Sequence, residues 1–146
     1  MSNRVFYGIL TILSVVFLGF FISYSAKSKP TPEQPIVSKE EIHWHPQLAI
    51  IIKGQQQAIP PNLKGLVHTH DSSGTLHWEL GGPVRKNFVL LKFFFGTWGK
   101  TFTANQILDS KNGSNGKVQM LVNGQPNTQF ENYQVKDKDQ IQISYE

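Results

Sequence analysis

The sequence predicts an α+β domain in which a mixed β-sheet wraps one helix and carries an inserted histidine-bearing hairpin, behind an N-terminal transmembrane helix. Three observations predict it. A charge-free run of twenty residues stands near the start of the chain, β-branched alternation punctuated by glycine turns fills most of the rest, and one segment has the three- and four-residue spacing of a helix. A small β-sandwich is the alternative packing of the same strands.

The charge-free run is Val5 to Tyr24, preceded by Arg4. At 1.5 Å per residue it makes about 30 Å of helix, enough to cross a bilayer core. Signal peptides have a shorter apolar region, so a retained anchor is expected over residues 1–26, with cleavage near Ser23 or Ser25 as the alternative. Lys27 and Lys29 balance Arg4, so the positive-inside rule leaves orientation open. The habit of short N-terminal anchors places the domain outside the cytoplasm, periplasmic or at the cell surface, or secreted after cleavage. Residues 27–40, with Pro30, Pro32 and Pro35 among polar residues, read as an extended tether, and 41–146 as the globular domain.

Within that domain, Leu48, Ile50 and Ile52 form a strand that Gly54 turns into Gln56 to Ile59, ended by Pro60 and Pro61. Val67 to Asp71 and Thr75 to Leu80 flank Asp71-Ser72-Ser73-Gly74, the signal of a second hairpin. Asn87 to Trp98 is the helix candidate: Leu90, Leu91, Phe94, Phe95 and Trp98 recur at helical spacing and Gly99 stands where a helix ends. Phe93 to Phe95 also suits a strand, and the aromatic group reads as core rather than as a ligand pocket. Asn-Gly pairs at 112, 115 and 123 mark a meander, with strands at Val118 to Val122 and Gln140 to Glu146. This order resembles a β-grasp fold.

Charge excludes one class of function. The chain carries 14 Lys and Arg and a sequence pI near 9.4, but three of the basic residues lie in the first 29 positions, which hold no acid. The remainder has 11 basic against 10 acidic residues and no basic stripe, so nucleic acid is not an expected partner. The absence of cysteine removes disulfides, thiolate metal sites and thiol nucleophiles.

What remains is a histidine constellation. The five histidines fall in three phrases, His43-Trp44-His45, His68-Thr69-His70-Asp71 and His77-Trp78-Glu79, and nowhere else. Residues two apart on a strand share a face, so each phrase offers two donors on one side. If the loop from Asp71 to Gly74 is even-numbered, His70 pairs with Thr75 and His68 with His77, and His68, His70, His77 and Glu79 share a face. Imidazole suits Zn²⁺, Cu²⁺, Ni²⁺ or Fe²⁺, with zinc or copper(II) the expected ion. His45, His68, His70 and His77 form the expected inner group, His43 and Glu79 the next candidates, and Asp71 is expected to bond its own turn. Trp44 and Trp78 alternate away from the ligands and read as core walls.

The phrases His43-Trp44-His45-Pro46, His68-Thr69-His70-Asp71, Gly74 and His77-x-Glu79, with Trp98-Gly99 and Val122-Asn123-Gly124, resemble a group of small, largely uncharacterised exported or membrane-anchored prokaryotic proteins. The resemblance covers nearly the whole domain and implies export and a histidine site, without a reaction. Cupins differ in lacking Gly74-Thr75 where they carry glutamate, and α-type carbonic anhydrases share only ligand geometry. Two functions fit: a metal carrier, buffer or sensor, or a metalloenzyme of hydrolase, lyase or oxygen chemistry with a carboxylate base. A purely structural metal in an adhesion module is the third. No serine sits in a nucleophile-elbow context.

Overall fold

Strand-forming sequence dominates the structure, a computed structural model that describes residues 33–146 together with Tyr7, Leu13 and Val16–Leu18. The chain divides into two units, 1–33 and 34–146, and the site belongs to the second. In chain order its strands are β1 (Ile36–Ser38), β2 (Ile42–Trp44), β3 (Gln47–Ile52), β4 (Gln55–Gln56), β5 (Val67–His68), β6 (His77–Leu80) and β7 (Val84–Arg85). A 3-10 turn (Lys86–Val89) and the helix α1 (Leu91–Trp98) follow, then β8 (Phe102–Thr103), β9 (Gln106–Ile107), β10 (Ser110–Lys111), β11 (Val118–Val122) and β12 (Gln125–Pro126). A second 3-10 turn (Phe130–Asn132) leads to β13 (Gln140–Tyr145).

The largest sheet has the order β12-β11-β13-β3-β4, with β13 parallel to β3 and antiparallel to β11. Its register aligns Ile141 with Leu48 and Val122, and Ile143 with Ile50 and Met120. Same-parity residues share a face, so these rows coalesce into the core while Gln140 and Gln142 face water. The two tight hairpins of this sheet are closed by left-handed residue pairs, Lys53-Gly54 (φ 52° and 76°) and Asn123-Gly124 (φ 52° and 77°). That twist matches the twist of the flanking strands. The other sheets are β2-β6-β5, β10-β9-β8 and the pair β1-β7. β1 lies within the proline-bearing segment expected as a tether: Ile36 pairs with Arg85 and Ser38 with Val84.

The expected single sheet wrapping one helix is overturned, because the described residues are mainly β structure divided among four sheets. The helix explains much of the difference. Leu90 takes an extended conformation (φ −82°, ψ 144°) and bridges Gln134, which splits the expected helix Asn87 to Trp98 into a 3-10 turn and the eight residues of α1. Eight residues make about 12 Å of helix, whereas five strands at about 4.8 Å spacing span about 19 Å between their outer axes. α1 packs chiefly on β5, β8 and the 3-10 turns, burying Leu91, Phe94 and Phe95. Gly99 ends it in the left-handed conformation (φ 69°), its N–H donating to the Gly96 and Phe95 carbonyls, and Phe93 to Phe95 are helical.

The expected membrane anchor is corrected as well. Most of Val5 to Tyr24 lies outside the described residues; Tyr7, Leu13 and Val16–Leu18 are helical and exposed. No helix among the described residues is long and apolar enough to cross a membrane, which takes about 20 residues. The transmembrane anchor and the extracytoplasmic placement derived from it therefore have no support in the structure.

Candidate metal centre

The site is built on β6. Its antiparallel neighbours set the register: His43 faces Glu79 and Trp44 faces Trp78 across β2, while Val67 faces Trp78 and His68 faces His77 across β5. Alternation then sorts the sheet by chemistry. Ile42, Val67, Trp78 and Leu80 point into the core, and His43, His68, His77 and Glu79 share the opposite face. Trp78 is fully buried and its indole Nε1–H donates to the Phe88 carbonyl at 2.8 Å. Trp44 is half-buried against the same core.

Two histidines lie just beyond the strands and are placed by specific bonds. The His45 N–H donates to Asp137 Oδ1 at 2.8 Å, tying the end of β2 to the loop before β13. At the end of β5, the buried Thr69 hydroxyl donates to the Pro60 carbonyl at 2.7 Å and accepts from the Leu63 N–H at 3.2 Å. The His70 ring then stands 4.4 Å from that of His77.

The hairpin differs from expectation beyond His68. The pairing of His70 with Thr75 does not form; Thr75 instead bridges Gln47, the Leu48 N–H donates to the Gly74 carbonyl and the Leu76 N–H to the Pro46 carbonyl. The returning strand is captured by the large sheet before it reaches β5. Gly74 permits this crossing, since at φ 87° an added Cβ would lie 2.4 Å from the Leu48 carbonyl oxygen. The register of His68 with His77 survives, as an even number of residues still separates them.

The donors gather into two triads that share one residue. His43, His45 and His77 form one, His68, His70 and His77 the other, and in each the donor atoms lie within 4.8 Å of one another. The His77 ring is 4.8 Å from His45, 6.4 Å from His43 and 5.3 Å from His68, on which it stacks at 16°. Donor nitrogens around a tetrahedral ion with bonds of about 2.05 Å stand about 3.3 Å apart, so closure needs shifts of at most about 1.5 Å, within reach of ring rotation. The four residues expected as one inner group are divided: His45 belongs to one triad, His68 and His70 to the other. His43, expected as a lesser candidate, stands with His45 and His77.

The carboxylates have distinct positions. Glu79 Oε1 is 3.0 Å from His43 Nε2 and 4.0 Å from His68 Nε2, at the border of both triads. Asp71 Oδ1 accepts the Ser73 N–H at 2.9 Å, the turn bond expected of it. Bonds from the Ser73 hydroxyl and backbone lower the Asp71 pKa, and His70 and His77 add to the effect. Asp137 was not singled out by sequence; its Oδ1 stands 4.0 Å from His45 Nδ1. Nothing local in Lys136-Asp137-Lys138 marks it, because it meets His45 only through the tertiary fold.

Burial is the first cause that lowers the His77 pKa, followed by the neighbouring His70, His45 and His68, with Glu79 opposing. The shared imidazole is thus held toward the neutral form that coordinates a cation. Comparison with known protein families, with curated proteins and with solved structures finds no match. Function rests on the side chains themselves: two histidine triads close enough to hold a metal ion.

Proposed function

We propose that the domain is a binding module for a divalent transition ion, zinc or copper(II), and acts as a carrier, buffer or sensor of that ion. The observation that carries the reading is the convergence of all five histidines, three on one face of the β2-β6-β5 sheet and two just beyond its strands, in triads whose donors lie within 4.8 Å. Neutral imidazoles on a solvated face favour borderline ions over calcium or magnesium, which take oxygen ligands. Copper(I) is disfavoured, since Met120 is buried in the large sheet and the chain has no thiolate.

Binding rather than catalysis is supported by the shape of the surface. The hollow beside His43 and Glu79, lined also by Glu41, Ile42 and Leu80, has a volume of about 190 Å³. That is room for about six water molecules and below the roughly 300 Å³ at which organic-ligand pockets begin. A solvated ion with exchangeable water fits beside His43. The resemblance to histidine-phrase proteins noted above agrees with a metal site and adds no reaction.

The test is elemental analysis of the full chain, purified without a histidine tag and without added metal, followed by titration with Zn²⁺ and Cu²⁺. About one equivalent of bound ion at micromolar or tighter affinity is expected. Absence of binding to both ions at neutral pH would refute the reading.

A further inference from the structure

The cluster holds more imidazoles than one ion can use, and their division is not random. Both triads contain His77, the first residue of β6, the middle strand of its sheet, with His43 and His45 on the β2 side and His68 and His70 on the β5 side. Resting on the metal-binding reading above, we propose that the domain binds a single ion in two alternative positions, exchanging the pair His43–His45 for the pair His68–His70 while His77 stays bound.

Charge argues for one ion at a time. Two dications in overlapping triads would repel at short range, and the nearby carboxylates offer little compensation. Among the described residues, Glu79 borders both triads, Asp71 is engaged with Ser73, and Asp137 accepts the backbone N–H of His45. Simultaneous occupancy would also require His77 to bind through both ring nitrogens, with loss of its remaining ring proton. A single ion needs no such step: the neutral imidazole gives one nitrogen to whichever position is filled.

Two positions sharing a ligand change how the ion leaves. Release from a fixed three-histidine site requires successive bonds to break into water. Here each bond lost on one side of β6 is replaced on the other, so the ion moves across the sheet without full dissociation. Each side keeps one exposed histidine, His43 on the β2 side and His70 on the β5 side, beside a more covered partner, His45 and His68. Such a device suits handing an ion to or from another imidazole- or carboxylate-bearing site, and it favours the carrier among the functions proposed.

The experiment is a Zn²⁺ titration of the full chain followed by the ring ¹³C and ¹⁵N resonances of its histidines. All five are expected to change together and to stop changing at one equivalent. The paired variants His43→Ala with His45→Ala, and His68→Ala with His70→Ala, should each still bind one ion within about tenfold of the unaltered affinity, circular dichroism confirming that they fold. At a fixed site, loss of two of three ligands would weaken binding by 10⁴-fold or more, taking about 10² or more for each. Changes confined to one triad, with one pair dispensable and the other essential, would overturn the two-position proposal and leave the metal-binding reading intact. So would changes that continue to a second equivalent. No response to Zn²⁺ at all would overturn both.

Discussion

Replacing His77 by alanine tests the centre of the site, because it removes the one imidazole common to both triads. The ion would then have two donors on either side instead of three. Structural zinc sites with four ligands bind with about 10–16 kcal/mol, or about 2.5–4 kcal/mol per ligand, which predicts about 10²- to 10³-fold weaker binding for His77→Ala. The fold should tolerate the change. His77 is only partly buried and stacks on His68, so a stability loss of at most about 1 kcal/mol is expected. Affinity is read by competition with a chromophoric chelator at pH 7.5, and stability by urea denaturation of the metal-free chain. The combination of a large affinity loss with a midpoint shift worth no more than about 1 kcal/mol is the signature sought. An affinity within threefold of the unaltered protein would show that His77 is no ligand, and the reading of both triads would fall with it.

Three other outcomes follow from the same geometry. Glu79→Gln should weaken metal binding about tenfold, the low end of what carboxylates that orient imidazoles contribute, because Glu79 Oε1 touches His43 at 3.0 Å but is about half exposed; an unchanged dissociation constant would remove Glu79 from the site. Trp78→Phe should destabilise the chain by about 2–4 kcal/mol, combining an unpartnered Phe88 carbonyl with a cavity behind the sheet, and a urea midpoint shift worth under 0.5 kcal/mol, where about 0.5 bounds an ordinary surface change, would contradict the packing described. The His77 imidazole of the metal-free protein should titrate below its ordinary value of about 6.5, by burial first and by its histidine neighbours second. The folded state then binds fewer protons there than the unfolded chain, so His77 leaves stability unaffected above that pH and lowers it as the pH falls through about 6.5 toward the folded value. A ring titration by NMR at or above 6.5 would contradict this, and metal loss on acidification should set in over the same range.

Much of the local structure was legible in the sequence. Val118 to Val122 and the alternation of Ile141, Ile143 and Tyr145 are strands as their spacing requires, and Asn123-Gly124 closes a hairpin because such a pair tolerates the left-handed turn. The pairing of His68 with His77 followed from the even count of residues between them, and the role of Asp71 from its place at the head of a turn. The two-residue period of a strand is enough to place His77 and Glu79 on one side of β6 and Trp78 on the other.

Contacts between distant segments decided the rest. Helical spacing from Asn87 to Trp98 could not reveal that Leu90 would be drawn into a bridge with Gln134, nor that the strands would divide among four sheets. Nor could spacing show that Thr75 would join Gln47 rather than His70, since both pairings satisfy the same alternation and only competition for backbone hydrogen bonds separates them. Asp137 meets His45 across most of the domain's length. The sequence by itself determined which side chains are donors and which face of each strand they occupy, because those follow from side-chain chemistry and a period of two. Only the tertiary structure decided that β2 pairs with β6 on the edge opposite β5, and hence that His77 is shared by two triads, because the pairing of strands distant in the chain is set by burial of the whole core and leaves no trace in local spacing.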